Sequence, residues 1–227
     1  IRDASAAGTF RPLVNIGDEG ALRAPESRLA YGGSSDLEDA LAIQCAGLVA
    51  GGVDAIQIET CQDPLQIKAA VNGAKRARAE AGRDIPILVQ VTIETSGTLL
   101  VGADIAAAAT VIHSLDVPVI GLNCATGPQE MAGHVKWLAE NWPGLISVQP
   151  NAGLPELVDG KTRYPLSADE LSKWLERFVA EDGINMMGGS CATDVPHIAT
   201  LDPMLRKRAG AERRPAPHKR KSVWVAS

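Results

Sequence analysis

The sequence has few aromatic residues, few cysteines and no long uninterrupted apolar segment. Only 4 % of its 227 residues are Phe, Trp or Tyr although 45 % are hydrophobic, so an aliphatic core is expected. Four cysteines without a Cys-x-x-Cys pair exclude a disulfide scaffold and a local zinc knuckle. No run reaches the ~20 apolar residues that a membrane-spanning helix needs. We therefore expect a globular cytoplasmic protein with no membrane partner.

Charge is distributed unevenly along the chain. The net charge is −5, but residues 206–221 hold eight Lys or Arg and one Glu, a local charge of +7 that leaves −12 for the rest. A basic segment can indicate a nucleic-acid-binding arm. The acidic body has no stripe of aromatic residues for stacking, however, and Pro215 and Pro217 suit an extended connector. We expect a domain over 1–205, an interdomain linker over 206–227, and no nucleic-acid partner.

Short apolar segments alternate with helical ones along the chain. The predicted strands cover 11–17, 54–60, 86–93, 118–123, 145–149 and 183–187, and the predicted helices cover 36–50, 64–81, 104–115, 129–141, 167–180 and 195–208. The strands lack strict polar alternation, as expected when both faces of a sheet are buried. Alternating strands and helices predict a parallel sheet with helical crossovers.

Two architectures share this pattern, an open doubly wound sheet and a (β/α)8 barrel. No G-x-G-x-x-G fingerprint follows the first predicted strand, which disfavours a dinucleotide-binding open sheet. A barrel needs eight strands. The fold class expected is therefore α/β, a (β/α)8 TIM barrel with six strand–helix units in this chain and its first two units before residue 1.

In a barrel, functional residues collect at the carboxyl ends of the strands. Here those ends carry Glu59, Asn123 with Cys124, Asn151, and Cys191. Cysteines that share one rim are the ligands that a zinc site with an open position would use. The pattern therefore predicts a thiol-based site at the mouth of the barrel.

The other cysteines and the histidines are expected outside this site. Cys45 lies in the middle of an apolar helix and is interpreted as a small core residue, and Cys61 is assigned to the start of a loop. The histidines are His113, His134, His197 and His218. All lie on predicted helices or in the tail, so a histidine-based general base or metal site is not expected.

Four segments at the strand ends resemble the homocysteine S-methyltransferase domain, in the order in which that family carries them. They are 58–63 (IETCQD), 121–128 (GLNCATGP), 149–155 (QPNAGLP) and 188–193 (GGSCAT). The third segment and 160–166 (GKTRYPL) are most similar to the cobalamin-dependent methionine synthases, a branch of that family. The similarity runs from about residue 11 to 205, and the basic segment after it resembles the linker to a folate-binding module.

The resemblance implies a barrel that binds zinc through three cysteines and binds homocysteine through its thiol. A zinc-bound thiol is deprotonated, so the implied reaction is attack of the thiolate on methylcobalamin, giving methionine. The implied partners are the cobalamin- and folate-binding modules of a longer polypeptide. Cys124, Cys191 and Ser190 match the three metal positions.

The resemblance also implies roles for three polar residues. Glu59 matches the acid that pairs with the amino group of the substrate. Asn151 matches an Asn that can occupy the open metal position before homocysteine arrives, and Asn123 is assigned to substrate binding.

Two features depart from the family pattern. An Asp-Gly pair expected at the end of the first barrel strand is absent, in agreement with the two missing units. The tandem cysteine is also broken, because Ser190 stands where the family has its first Cys, and a hydroxyl is a poorer zinc ligand than a thiolate. Three functions stay open: a zinc-dependent methyltransferase module, a non-catalytic scaffold with a degraded zinc site, and a cobalamin-independent homocysteine methyltransferase.

Overall fold

A computed structural model describes residues 14–16 and 34–208 of the chain. The strands are β1 (Val14–Ile16), β2 (Ile56–Cys61), β3 (Ile87–Val91), β4 (Val119–Asn123), β5 (Leu145–Gln149), β6 (Glu156–Val158), β7 (Lys161–Arg163) and β8 (Met186–Met187). The helices are α1 (Ser34–Ala50), α2 (Pro64–Glu80), α3 (Ile105–Ser114), α4 (Pro128–Asn141), α5 (Ala168–Arg177), which continues into the π-helical turn Phe178–Asp182, and α6 (Val195–Arg208).

Within the described residues the main sheet follows chain order, β1-β2-β3-β4-β5-β8, and every neighbouring pair is parallel. A doubly wound sheet reverses its order at a switch point, whereas a barrel adds each new strand beside the last. The fold is therefore α/β with the strand order of a TIM barrel. All six predicted strands and all six predicted helices are confirmed. The predicted linker lies outside the described residues from 209 onward.

The two faces of the main sheet are packed differently. The face toward the helices belongs to the large apolar core, to which the strands contribute Ile56, Ile58, Ile87, Val89, Val91, Ile120, Leu122, Ile146 and Val148. The opposite face carries a separate small cluster of Ala55, Leu88 and Val119, with Met186 packed against it. Strand side chains alternate between faces, so one run of apolar residues supplies both clusters.

A layer of buried polar side chains lies beside the small cluster, closer to the carboxyl ends of the strands. The Gln57 Nε2 donates to the Gln90 Oε1 over 3.3 Å, and the Gln90 Nε2 donates to the Ser147 Oγ over 2.8 Å. Gln90 is on β3 and Ser147 on β5, so this second bond crosses β4 at Gly121. A Cβ at Gly121 would lie 2.7 Å from the Ser147 carbonyl oxygen and 2.8 Å from the Gln90 Cγ. The crossing therefore requires glycine.

Helix caps fix where the loops on the carboxyl side of the sheet end. The Asp63 carboxylate accepts from the Leu65 amide over 2.7 Å at the start of α2. Ser167 and Glu170 form a reciprocal capping box at the start of α5, which satisfies two amides that the helix itself leaves without a partner. None of the helices over 34–208 is both long and apolar enough to cross a membrane.

We expect Gly121→Ala to lower the free energy of unfolding by about 1–3 kcal/mol, because the new Cβ has to displace the Gln90 side chain and the β5 backbone. Gly133→Ala is the matched control, since a Cβ there meets nothing within 4 Å on the exposed side of α4. Urea unfolding of both variants measures the difference. A free energy of unfolding for Gly121→Ala equal to that of the wild type would show that β4 does not need the close approach.

Candidate metal and substrate site

The Asn123 side chain joins the carboxyl ends of β2, β3 and β4. Its Oδ1 accepts from the Thr60 amide over 3.1 Å and from the Thr92 hydroxyl over 3.4 Å. Its Nδ2 donates to the Thr60 Oγ1 over 2.8 Å and to the Cys124 Sγ over 3.4 Å. Asn123 is 1 % exposed, so this network lies beneath the surface of the rim.

Cys124, Ser190 and Cys191 meet at the rim, although the first is separated from the other two by more than 60 residues. The Cys124 Sγ and the Ser190 Oγ are 2.7 Å apart, and either atom can donate. Burial raises the pKa of the Cys124 thiol, the hydrogen bond with Ser190 opposes that rise, and the neighbouring Cys191 adds to it. Cys124 is half-buried and Cys191 is exposed, so the pair opens toward solvent.

The loop that carries Ser190 and Cys191 is held by the segment after β5. The Asn151 Oδ1 accepts from the Cys191 amide over 3.0 Å. The Ser190 amide donates to the Pro150 carbonyl over 2.9 Å, and the Ala152 amide donates to the Cys191 carbonyl over 3.0 Å. Three hydrogen bonds therefore fix the second thiol against the β5 end, and Asn151 supplies the side-chain contact among them.

Four non-glycine residues at the rim have left-handed backbone angles. The φ values are 62° at Thr60, 58° at Cys124, 56° at Ala125 and 61° at Ala192. Such angles are uncommon outside glycine and persist where surrounding contacts hold them, often at functional sites. Here they occur at the irregularity near the end of β2, in the turn after β4, and directly after Cys191. The last two segments present Cys124 and Cys191.

Glu59 lies near the end of β2, two residues beyond Gln57 and so on the same face of the strand. Its side chain is half-buried, and that burial raises the pKa of its carboxyl group. Within the described part of the chain it forms no hydrogen bond or ion pair. A carboxylate held in this state suits a cationic group that arrives from outside, because an opposite charge restores the ionised form.

The structure brings together the predicted metal positions and places the predicted polar residues around them. Cys124, Ser190 and Cys191 converge, while Asn123 and Asn151 are buried against two of them. The roles assigned to these residues stay predictions. The predicted placement on helices is confirmed for His113, His134 and His197, which lie on α3, α4 and α6. His218 lies outside the described residues.

Both remaining cysteines are fully buried in the apolar core. For Cys45 this confirms the prediction, and burial raises the pKa of its thiol to about 11. The assignment of Cys61 to a loop is wrong, because Cys61 is the last residue of β2 and pairs with Val91. The register shifts between Ile58 and Cys61, and this irregularity around Thr60 lets the strand continue while it turns Cys61 into the core.

Sequence reasoning missed the β6–β7 hairpin and the tyrosine that follows it. Asp159 and Gly160 form its two-residue turn with φ values of 49° and 72°, and an Asp-Gly pair between short strands is a strong hairpin signal. Tyr164 lies against the thiol pair: partial burial raises the pKa of its phenol, and the charge of Cys191 and a hydrogen bond with it add to the rise. No sequence signal marked this contact.

Among the described residues, the possible metal donors gathered around Cys124 are two thiols and two hydroxyls. Over residues 14–16 and 34–208, no group of three or more His, Cys, Asp or Glu side chains gathers in a way that could hold a metal. The rim instead offers Cys124, Cys191, the Ser190 hydroxyl and the Tyr164 phenol. A zinc ion accepts four sulfur, nitrogen or oxygen ligands, so this set is chemically suitable but has only two groups that readily become anionic.

Comparison with known proteins gives one family and several relatives. The family model for homocysteine S-methyltransferase matches residues 5–205. The methionine synthase of Mycobacterium tuberculosis (strain ATCC 25618 / H37Rv) is 49 % identical over 210 residues, which is 87 % of this chain and 18 % of that protein. The methionine synthase of Mycobacterium leprae (strain TN) is 49 % identical over 162 residues, 71 % of this chain and 13 % of that protein. The chain thus spans less than a fifth of these relatives.

Solved structures share the fold at much lower identity. The apo form of the homocysteine methyltransferase MmuM from Escherichia coli has a TM-score of 0.65 and 19 % identity, over 89 % of this chain and 68 % of its own. Its metallated form has a TM-score of 0.63 and 19 % identity, over 89 % of this chain and 66 % of its own. At this identity the similarity establishes the architecture of the barrel alone.

Proposed function

The chain belongs to the homocysteine S-methyltransferase family, and from that premise we propose that its rim binds homocysteine and presents the thiol for methylation to methionine. The observation that carries this proposal is the meeting of Cys124 with Ser190 and Cys191, from strand ends far apart in sequence, in one cluster of thiols and hydroxyls. The similarity to two methionine synthases supports the same substrate.

We propose zinc as the metal of this site, held by Cys124, Cys191 and the Ser190 hydroxyl, which leaves a fourth position open. Bound zinc would deprotonate the homocysteine thiol, which makes the sulfur a nucleophile at neutral pH. With a hydroxyl at Ser190 in place of a thiolate, the shell has one negative charge fewer, so zinc binds more weakly than at three cysteines. Asn151 is the proposed occupant of the open position until the substrate arrives, a role its burial beside the Cys191 amide supports.

Glu59 is the proposed ligand of the homocysteine ammonium group. Its half-buried carboxylate has no cation among the described residues, and a substrate ammonium would supply one. Together, a thiol-binding metal and an amine-binding acid fix both ends of a short amino acid. Such a two-point hold orients the sulfur toward a donor above the rim, which is the main way a protein of this kind assists the transfer.

The proposed methyl donor is methylcobalamin carried by another module of a longer polypeptide, with a folate-binding module as a second partner. The relatives that support this assignment are methionine synthases much longer than this chain. We propose a cytoplasmic location, as for other enzymes of amino-acid biosynthesis. A cobalamin-independent reaction is less favoured, since the basic, proline-containing segment after residue 205 suits a linker in a multidomain enzyme.

A non-catalytic scaffold is the second candidate function. It is favoured by Ser190 and by the scarcity of anionic donors at the rim among the described residues. In that case the fold would persist without a metal of useful affinity. Zinc binding separates the two functions, since a scaffold needs none.

We expect Glu59→Gln to weaken homocysteine binding by about 1.5–3 kcal/mol, the scale of a hydrogen bond to a charged group. Zinc affinity should stay the same. The pKa of Glu59 is raised in the folded state, so its ionised form opposes folding above that pKa. The variant should therefore be more stable than the wild type at neutral pH and equally stable below the unfolded pKa of Glu59.

Calorimetric titration with homocysteine and urea unfolding at two pH values measure these effects. Glu80→Gln is the control, because it removes an exposed carboxylate at the end of α2. Unchanged homocysteine affinity in Glu59→Gln would remove Glu59 from the site.

We expect Ser190→Cys to raise zinc affinity by orders of magnitude, since it restores a third thiolate to the shell. It should also increase proton release when homocysteine is added to zinc-loaded protein, because ligation deprotonates the thiol. A zinc titration against a competing chelator gives the affinities.

The matched control is Ser114→Cys, which adds a thiol at the exposed carboxyl end of α3, away from the rim. Equal zinc affinity in the wild type and in Ser190→Cys would mean that Ser190 does not occupy a ligand position. The match between residues 188–193 and the family motif would then be wrong.

A further inference from the structure

The orientation of the Asn123 amide follows from one contact. The Thr60 backbone N–H can only donate, so the amide atom 3.1 Å from it has to be the carbonyl oxygen. The NH2 group then faces the opposite way, toward the Thr60 Oγ1 at 2.8 Å and the Cys124 Sγ at 3.4 Å. Exchange of the two amide atoms would place two donors against each other at Thr60.

Every hydrogen-bonding position of the Asn123 amide is in use. An Asn side chain has two acceptor lone pairs and two donor hydrogens. Thr60 and Thr92 take both lone pairs, and Thr60 and Cys124 take both hydrogens. With 1 % exposure, this side chain has no group left for a substrate, in contrast to the substrate-binding role expected from the sequence.

We infer that Asn123 is a positioning residue that aims an amide NH2 at the sulfur of Cys124 and locks that sulfur to the end of β2. The inference rests on the proposed function, in which Cys124 is a metal ligand. A hydrogen-bond donor beside a ligand atom fixes its direction and tunes the charge that the metal receives. A hydrogen bond from an NH2 group stabilises the thiolate form of a sulfur more than it stabilises the thiol form.

The same side chain ties the metal ligand to the substrate acid. Asn123 holds the backbone N–H and the hydroxyl of Thr60, and Thr60 directly follows Glu59. Thr60 has a φ of 62°, a backbone angle that needs external support. Asn123 therefore sets the distance between the group that would bind the homocysteine amine and the group that would bind its sulfur.

Asn123→Asp is the decisive variant because it changes the contact with sulfur and leaves the contact with the Thr60 backbone amide. Its carboxylate still accepts from the Thr60 amide and the Thr92 hydroxyl, but it presents an oxygen to Cys124 where the wild type presents a donor. Asn123→Ala removes both contacts without adding charge. Asn141→Asp is the control. Asn141 donates to the Trp137 carbonyl at the carboxyl end of α4, just before β5 begins, and so lies at the edge of the sheet opposite the rim.

We expect zinc affinity, measured against a competing chelator, to fall about tenfold or more in Asn123→Asp. In cobalt(II)-loaded protein the thiolate-to-cobalt charge-transfer band should move to longer wavelength, because a sulfur that loses its donor is easier to oxidise. Hydrogen exchange at the Thr60 amide should remain slow in Asn123→Asp and become fast in Asn123→Ala. The control should match the wild type in all three measurements.

A metal-free measurement separates this inference from the proposed function. Iodoacetamide reacts with thiolates, and peptide mass spectrometry reads Cys124 separately from Cys191. Alkylation of Cys124 should slow about tenfold in Asn123→Asp, since the thiolate loses a charge-assisted hydrogen bond and gains a carboxylate neighbour. If the wild type binds neither zinc nor cobalt, the proposed function fails, and the alkylation rate still decides the role of Asn123.

Two results would overturn the inference. The first is alkylation of Cys124 in Asn123→Asp at the same rate as in the wild type, together with an unshifted charge-transfer band where metal binds. The second is slow exchange of the Thr60 amide in Asn123→Ala. If Asn123→Asp does not fold, Asn123→Ala decides by the same measurements, with a smaller expected loss of alkylation rate.

Discussion

The parallel arrangement of the strands is the constraint on which the rest of the structure depends. Because each strand pairs with the one before it in the chain and runs the same way, all carboxyl ends meet on one rim. Cys124 follows β4 and Cys191 follows β8, and this arrangement brings the two thiols together, with the Ser190 hydroxyl in contact with Cys124. Gly121 stabilises this arrangement beneath the rim. Because it has no side chain, Gln90 can cross β4 and donate to Ser147, which links the three strands β3, β4 and β5.

Most polar side chains of the rim discussed above form hydrogen bonds with one another, and one of them does not. Asn123 and Asn151 use their side chains to hold Thr60, Cys124 and the Cys191 loop. Glu59 is different, because its carboxylate is half-buried and has no partner among the described residues. A rigid frame with one unmatched charge is the usual form of a binding site, since the frame limits the entropy lost on binding and the unmatched charge supplies selectivity.

Most of the fold and the composition of the site could be predicted from the sequence. Short apolar runs that alternate with helical segments predicted all six strands of the main sheet, and the rule that functional residues collect at strand ends predicted Cys124, Asn151 and Cys191 on one rim. The bulge near Thr60 could not be predicted, because it depends on the hydrogen bond between the Thr60 amide and Asn123. The position of Cys61 follows from this bulge. The contact of Tyr164 with Cys191 also depends on tertiary packing, since it is delivered by a hairpin that is not part of the main sheet.

We propose that Cys124 and Cys191 form a metal centre that takes the sulfur of homocysteine. X-ray absorption at the zinc edge of the zinc-loaded chain tests it most directly. We expect two sulfur neighbours at about 2.3 Å and lighter oxygen or nitrogen neighbours at about 2.0–2.2 Å. Homocysteine should raise the sulfur count from two to three at the expense of a lighter neighbour. A spectrum without sulfur neighbours, or a sulfur count that homocysteine leaves unchanged, would contradict the account.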